Sequence, residues 1–128
     1  MDINNGVVVV GSLHHDIIVN ASHQPTKGEI IIGKNWYPKF GGKGGNQAVA
    51  ASSYGVPTKI ISAVGDDYFG KYILDYINST NVNTEFIQII KNKKSGMSVA
   101  ISDKDGEYGA VVISGVNLHI NSEVFNDS

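Results

Sequence analysis

Short runs of β-branched residues alternate with helix-like segments along the chain, and this alternation restricts the fold more than any other feature. The run "VVVV" (Val7–Val10), with glycine on both sides, is typical of a strand buried on both faces of a parallel sheet. "TKIISAVG" (58–65) has the same character. Residues 44–54 are rich in alanine and serine and predict a helix that ends at Gly55. A second helical pattern follows in 66–80, so the order strand, helix, strand, helix predicts an α/β sheet.

The second helical segment begins after two aspartates. We expect Asp66 or Asp67 to cap its N-terminus, because a carboxylate there accepts a hydrogen bond from a free backbone N–H group. Asp67 and Lys71 have the i,i+4 spacing of a favourable ion pair. Beyond this helix, "EFIQII" (85–90) is a candidate for a third core strand.

Two further stretches have a more exposed pattern. Residues 16–40 mix β-branched residues with a turn at 25–28 and predict two strands joined by a loop, without a helix. "MSVAIS" and "EYGAVVIS" flank a turn at 103–106 and predict an antiparallel hairpin. Near the end of the chain, Asn121 or Ser122 is expected to cap a helix of which only the first turn is present.

Composition excludes several classes of function. The net charge is −2 and the ten basic residues are scattered, so we expect no nucleic acid and no anionic membrane as partner. The absence of cysteine excludes a disulfide scaffold and thiolate metal sites. Because His14 and His15 are neighbours in a strand, they point to opposite faces and predict no shared metal site. The short apolar run near the N-terminus is neither a signal peptide nor a membrane span, which predicts a cytoplasmic protein.

Four glycines lie within "GGKGG" (41–45), directly before the first helix. The stretch is not a phosphate loop of the Walker type, because Gly44 follows Lys43 where serine or threonine is required. It is not a dinucleotide fingerprint either, since Gln47 stands at the third glycine position. What remains is a loop with accessible N–H groups, a lysine and the amide of Asn46, which suits a hydroxyl-rich or anionic ligand. A tight turn with a solvated Lys43 is the alternative.

Four motifs in this order resemble the N-terminal part of the ribokinase-like (PfkB-type) carbohydrate kinase family: "GSLHHD", "PTKGE", "FGGKGGNQAVAA" and "GDDYFG". The resemblance extends over roughly residues 7–117. The residues that satisfy each step of the family's glycine signature are Gly41, Gly42, Asn46, Ala48, Gly55 and Gly65.

The resemblance implies an α/β fold in which a sheet flanked by helices carries a small β-sheet lid. Residues 1–128 then form the N-terminal part of one such domain, truncated after the first half. The lid strands are expected at approximately 16–40 and 97–102, and more narrowly at 16–20, 29–40 and 97–102. The sugar binds between sheet and lid, and pairing of two lids implies a homodimer.

The resemblance also assigns the sugar site. Asp16 matches an aspartate that accepts hydrogen bonds from two sugar hydroxyls. Gly41 and Gly42 match positions where the backbone approaches the sugar, and Lys43 and Asn46 match polar contacts to its hydroxyls. His14 stands where the family usually has asparagine and is a further site residue, which leaves ribose, another pentose and a nucleoside open as substrates.

The family phosphorylates its sugar with ATP and Mg²⁺, and the resemblance leaves room for a monovalent cation. Its Gly-Ala-Gly-Asp and Asn-x-x-Glu motifs, which supply the base, the phosphate cradle and the metal surroundings, do not occur here. We therefore expect no catalytic residue, no metal ligand, no bound cofactor and no activity in this chain alone. Three interpretations stay open: part of a kinase that forms ribose 5-phosphate or a related product, a truncated sugar-binding or dimerising protein, and a non-functional remnant.

Overall fold

The computed structural model describes residues 6–120, which form a mixed α/β structure with two sheets. The elements in chain order are β1 (Val7–Val10), β2 (His14–Asn20), β3 (Asn35–Gly41), α1 (Lys43–Ser53), β4 (Thr58–Gly65), α2 (Tyr68–Asn78), β5 (Ile87–Ile90), β6 (Gly96–Ser102), β7 (Tyr108–Ile113) and a 3₁₀ helix (Gly115–His119). The expected cap at Asn121 or Ser122 lies outside the described residues.

A three-stranded parallel sheet has the order β1-β4-β5. Both helices pack on one face of this sheet, and their apolar side chains share a single buried cluster with it. The buried residues of that cluster are Val9, Leu13, Phe40, Ala48, Ile60, Val64, Ile73, Ile77 and Val82. The predicted alternation of strand and helix is confirmed, with β5 beginning at Ile87.

The expectation that "VVVV" is buried on both faces is wrong. Val9 is buried, but Val8 and Val10 are 44% and 55% exposed. Within residues 6–120, β1 has a paired neighbour on the β4 side alone, and the helices cover the face that carries Val9. A continuous β-branched run therefore marks a strand here without marking burial of both its faces.

Asp67 caps α2, but it does not pair with Lys71. The Asp67 carboxylate accepts hydrogen bonds from Gly70 N (2.8 Å), Ser95 N (2.9 Å) and the Ser95 hydroxyl (2.7 Å). Lys71 instead forms an ion pair with Asp75 at 2.6 Å. Both Asp67 oxygens already accept hydrogen bonds from the N-terminus of α2 and from Ser95 before β6. The predicted Asp67–Lys71 ion pair is therefore absent, and Lys71 pairs with Asp75, one turn further along α2.

A four-stranded sheet has the order β3-β2-β6-β7. The predicted hairpin is confirmed as β6 and β7, which pair antiparallel. The expected strand at 29–40 is shorter, because only Asn35–Gly41 pairs with β2. Residues before it form a loop in which Glu29 accepts a hydrogen bond from Thr26 N (3.0 Å) and contacts the His23 ring (3.2 Å).

The side chain of Asn117 ties the 3₁₀ helix to the start of the four-stranded sheet. Its Oδ1 accepts a hydrogen bond from Leu13 N, and its Nδ2 donates to Leu13 O, both at 3.0 Å. Leu13 is fully buried, so its two backbone groups need such partners. Asn117 thereby fixes the backbone immediately before β2.

No helix in the described part of the chain is both long and apolar enough to cross a membrane.

Candidate functional site

The four-stranded sheet has two chemically different faces, because successive side chains of a strand point to opposite sides. The polar face carries His14, Asp16, Lys39 and Ser98. The apolar face carries Ile17, Val19, Trp36, Val99, Val111 and Ile113. Candidate binding residues from three strands therefore lie on one side of the sheet.

Asp16 is the centre of the polar face. It lies directly opposite Lys39 of β3 and Ser98 of β6 in the strand register. The Ser98 hydroxyl donates a hydrogen bond of 2.7 Å to Asp16 Oδ1. On the other side Asp16 Oδ2 occupies the space that a side chain on Gly41 would fill. The half-buried carboxylate is thus held between two neighbouring strands and stays accessible from the polar face.

The glycines beside Asp16 are required by close backbone packing. Gly42, with φ of 95°, is the N-cap residue of α1, and a side chain there would collide with Ser12 O. Gly44 packs directly on Gly11, and Gly45 N donates a hydrogen bond of 3.0 Å to Ser12 O. The N-terminus of α1 therefore rests on the connection between β1 and β2, immediately before the strand that carries Asp16.

The structure brings most of the predicted site residues together. His14 and Gly41 are direct partners across β2 and β3, two positions from Asp16, and Gly42 follows. Lys43 and Asn46 are exposed in the first turn of α1, which begins after Gly42. Within residues 6–120, neither of these two side chains forms a hydrogen bond with Asp16.

His14 and His15 lie on opposite faces, as predicted. His14 is half-buried on the polar face, where its ring covers Gly96 of β6. His15 is 6% exposed and packs against the rings of Phe69 and Tyr72, with centroid distances of 4.1 and 4.3 Å. Its Nδ1 atom is buried and has no hydrogen-bond partner among the described residues.

Burial shifts the ionisation of both histidines. Desolvation lowers the pKa of His15, although the negative charges of Asp16 and Asp67 oppose this effect. Desolvation also lowers the pKa of His14, against the influence of Asp16. Both rings are therefore neutral at neutral pH, and His14 offers the polar face a hydrogen-bond donor and acceptor without a charge.

Two grooves of about 450 Å³ each lie beside α2 and β3. One lies at the N-terminus of α2, beside Asp67, Phe69 and Met97. The other lies between β3 and the helices, beside Lys39, Asn46 and Tyr72. Neither of these two grooves has Asp16 or His14 in its lining. Nor do these residues contain a group of three or more histidine, cysteine or acidic side chains placed to hold a metal ion.

Sequence reasoning missed Ser98 and Lys39. The signal for Ser98 was its spacing in "MSVAIS", where Ser98 and Ser102 are four positions apart and so share one face of a strand. The pairing of β2 with β6 then places that face on the side of Asp16. Lys39 lies in an aromatic stretch, and the local sequence does not show which residue of β2 pairs with it.

The family model of the pfkB family carbohydrate kinases matches residues 4–127. The chain therefore belongs to the pfkB family of carbohydrate kinases. The predicted family resemblance is confirmed, and so is the fold class.

Several relatives that match most of the chain are ribokinases. It is 36% identical over 117 residues to ribokinase of Mus musculus and 34% identical over 119 residues to ribokinase of Dictyostelium discoideum, covering 91% and 93% of this chain. The structure of Arabidopsis thaliana ribokinase complexed with ribose and ATP matches with a TM-score of 0.79 and 30% identity over 88% of this chain. The chain spans 36% and 37% of the length of the two curated relatives and 37% of the Arabidopsis chain.

The lowered histidine pKa values predict that stability falls on mild acidification. Because the unfolded chain takes up protons at the ordinary histidine pKa, before the folded chain does, the full stability is present above about pH 6.5 and is lost as pH falls through the folded-state values. Urea denaturation between about pH 7.5 and 5 measures this loss. The variant His15→Phe should reduce it, whereas the exposed-site control His119→Phe should leave it unchanged. A flat pH profile of the wild-type midpoint would contradict the prediction.

Proposed function

We propose that this chain is the sugar-binding part of a kinase that transfers phosphate from ATP to the 5-hydroxyl of ribose or a related pentose. The observation that carries the proposal is the half-buried Asp16 carboxylate, which lies on the polar face beside Gly41 and Gly42 at the start of α1. Family membership and the ribokinase relatives support it, including the Arabidopsis ribokinase complexed with ribose and ATP. A cytoplasmic location stays a prediction.

The chemistry of the polar face favours a hydroxyl-rich ligand. An ionised carboxylate is purely a hydrogen-bond acceptor, so Asp16 suits a pair of sugar hydroxyls as donors. Lys43 and Asn46 are proposed to contact further hydroxyls from the first turn of α1, where both are exposed. A ligand that lacks one of these hydroxyls leaves a polar group unpaired, which costs about 1–3 kcal/mol.

The neutral ring of His14 is proposed to tune the choice of ligand. It covers Gly96 and adds a planar surface to the polar face, two positions from Asp16. An imidazole can stack on a base as well as bond to a hydroxyl. Another pentose or a nucleoside is therefore the alternative substrate.

Asp16→Ala should abolish ribose binding without unfolding the chain, because the half-buried carboxylate is the proposed acceptor for two hydroxyls. Isothermal titration with ribose measures the binding, and circular dichroism monitors the fold. Asp105→Ala, in the exposed turn between β6 and β7, is the matched control and should bind like the wild type. Millimolar ribose affinity retained in Asp16→Ala would refute the assignment of Asp16.

ATP, Mg²⁺ and any monovalent cation are proposed to bind outside the residues described here. The donor set of residues 6–120 does not fit a metal ion, since it places no group of three acidic or histidine side chains together. The glycines before α1 are occupied in packing on Gly11 and Ser12. Phosphoryl transfer needs a base, a phosphate cradle and charge stabilisation, and these are assigned to the rest of a longer protein.

The purified 128-residue chain should therefore show no kinase activity, because it lacks the motifs that supply the base and the phosphate site. A coupled assay for ADP formation with ribose and ATP measures this. A mock purification from the same host controls for contaminating kinases. Ribose-dependent ADP formation well above that control would overturn the prediction.

We further propose that two copies pair through the apolar face of the four-stranded sheet. Trp36 and Val111 are each 66% exposed there, and Ile113 is 50% exposed. Ile30 and Ile32, in the loop before β3, are both 95% exposed. A contiguous apolar surface on a sheet marks an interaction site more often than a free surface, and a second copy supplies the complementary face.

Val111→Glu should convert the dimer to a monomer, because it buries a charge in the proposed interface. Val112→Glu is the matched control, since Val112 neighbours it on β7, is similarly exposed at 57%, and lies on the polar face. Sedimentation velocity of both variants and the wild type measures the oligomeric state. A monomeric wild type, or a dimer that survives Val111→Glu, would contradict pairing through the apolar face.

A further inference from the structure

We propose that Ser98 is a positioning residue that fixes the Asp16 carboxylate for sugar binding and restricts the site to hydroxyl donors. The inference rests on the proposed function of Asp16. It begins from one contact, the hydrogen bond of 2.7 Å from the Ser98 hydroxyl to Asp16 Oδ1. These two residues are 82 positions apart in the sequence and meet because β2 and β6 pair in parallel.

Ser98 is well placed to hold another side chain still. It is 6% exposed and is the direct register partner of Asp16, so its own position is fixed by the strand pairing on both sides of β6. Asp16 Oδ2 lies over Gly41, where the missing side chain leaves just enough space for it. The carboxylate is therefore held by Ser98 on one side and by the β3 backbone on the other.

Holding the carboxylate before the ligand arrives strengthens binding. A free aspartate side chain loses rotamer freedom when it is immobilised, and a preorganised one has already lost it on folding. Ser98 acts through Asp16, so its effect on a ligand should depend on the presence of the carboxylate.

The pair also selects the kind of ligand. The serine hydroxyl has one hydrogen, and Asp16 receives it, so the Ser98 oxygen keeps only acceptor capacity. An ionised carboxylate is likewise an acceptor alone. Because Ser98 is buried, the Asp16 carboxylate is the acceptor that faces a ligand, which suits neutral polyols with several O–H donors and disfavours sugars with a carboxylate or phosphate at that position.

Ser98→Ala tests the proposal, with Ser102→Ala as the matched control. Ser102 lies on the same strand and face, opposite Asn20 and remote from Asp16. We expect Ser98→Ala to weaken ribose binding about tenfold, as loss of one hydrogen bond to a charged group predicts, with Ser102→Ala and the hydroxyl-preserving Ser98→Thr close to the wild type. In an Asp16→Asn background the same Ser98→Ala substitution should change affinity much less. Equal affinity of Ser98→Ala and the wild type, or an undiminished effect in the Asp16→Asn background, would overturn the positioning role.

A second readout needs no ligand. The Hα–Hβ scalar couplings of Asp16 in the free chain report whether its side chain occupies one rotamer or several. We expect one rotamer in the wild type and averaging in Ser98→Ala, with unchanged couplings in Ser102→Ala. Averaged couplings in the wild type, or a single rotamer in Ser98→Ala, would refute the proposal. If the wild type does not bind ribose, the proposed function of this chain fails, and these couplings alone decide whether Ser98 positions Asp16.

Discussion

The rest of the structure depends on the three-residue connection between β1 and β2, because the chain passes there from one sheet to the other. Residues 11–13 are held by backbone and side-chain contacts with three elements, β4, α1 and the 3₁₀ helix. Gly11 N donates to Ile61 O at 3.2 Å, and Gly11 O accepts from the Ser62 hydroxyl at 2.6 Å. Ser12 O accepts from Gly45 N, and the Asn117 side chain bonds both backbone groups of Leu13. Such close contact admits no side chain at Gly11 or Gly44, since each lies where the other's Cβ would be.

This connection also determines where the candidate site lies. Since Leu13 is fixed, β2 begins at a defined place and directs Asp16 to the polar face, while β3 returns to end at Gly41 opposite His14. The chain then turns at Gly42 and enters α1, which packs back on the same connection. The glycine-rich segment thus has a structural role that is independent of any ligand, and the accessible backbone beside Asp16 follows from it.

Local sequence patterns predicted most of the elements but not their partners, and they missed the 3₁₀ helix and the start of β3. The β-branched runs, the alanine-rich helix and the Asp67 cap depend on neighbours in the sequence, and each was predictable. The exposure of Val8 and Val10 depends on which elements cover a sheet, which a run of valines does not encode. Asp67 bonds Ser95 from 28 residues away, and Asp16 bonds Ser98 from 82, so neither contact could be inferred without the fold. The family resemblance supplied Asp16, while Ser98 needed the strand register.

The candidate binding residues belong to two different parts of the architecture. Asp16, His14 and Ser98 lie in the four-stranded sheet, whereas Lys43 and Asn46 lie on α1, which packs on the three-stranded sheet. A molecule that contacts both groups therefore acts as a cross-link between the two sheets, in addition to the three chain segments that connect them, β1 to β2, β3 to β4 and β5 to β6. The free energy of binding of such a molecule would then add to the stability of the packing between the two sheets.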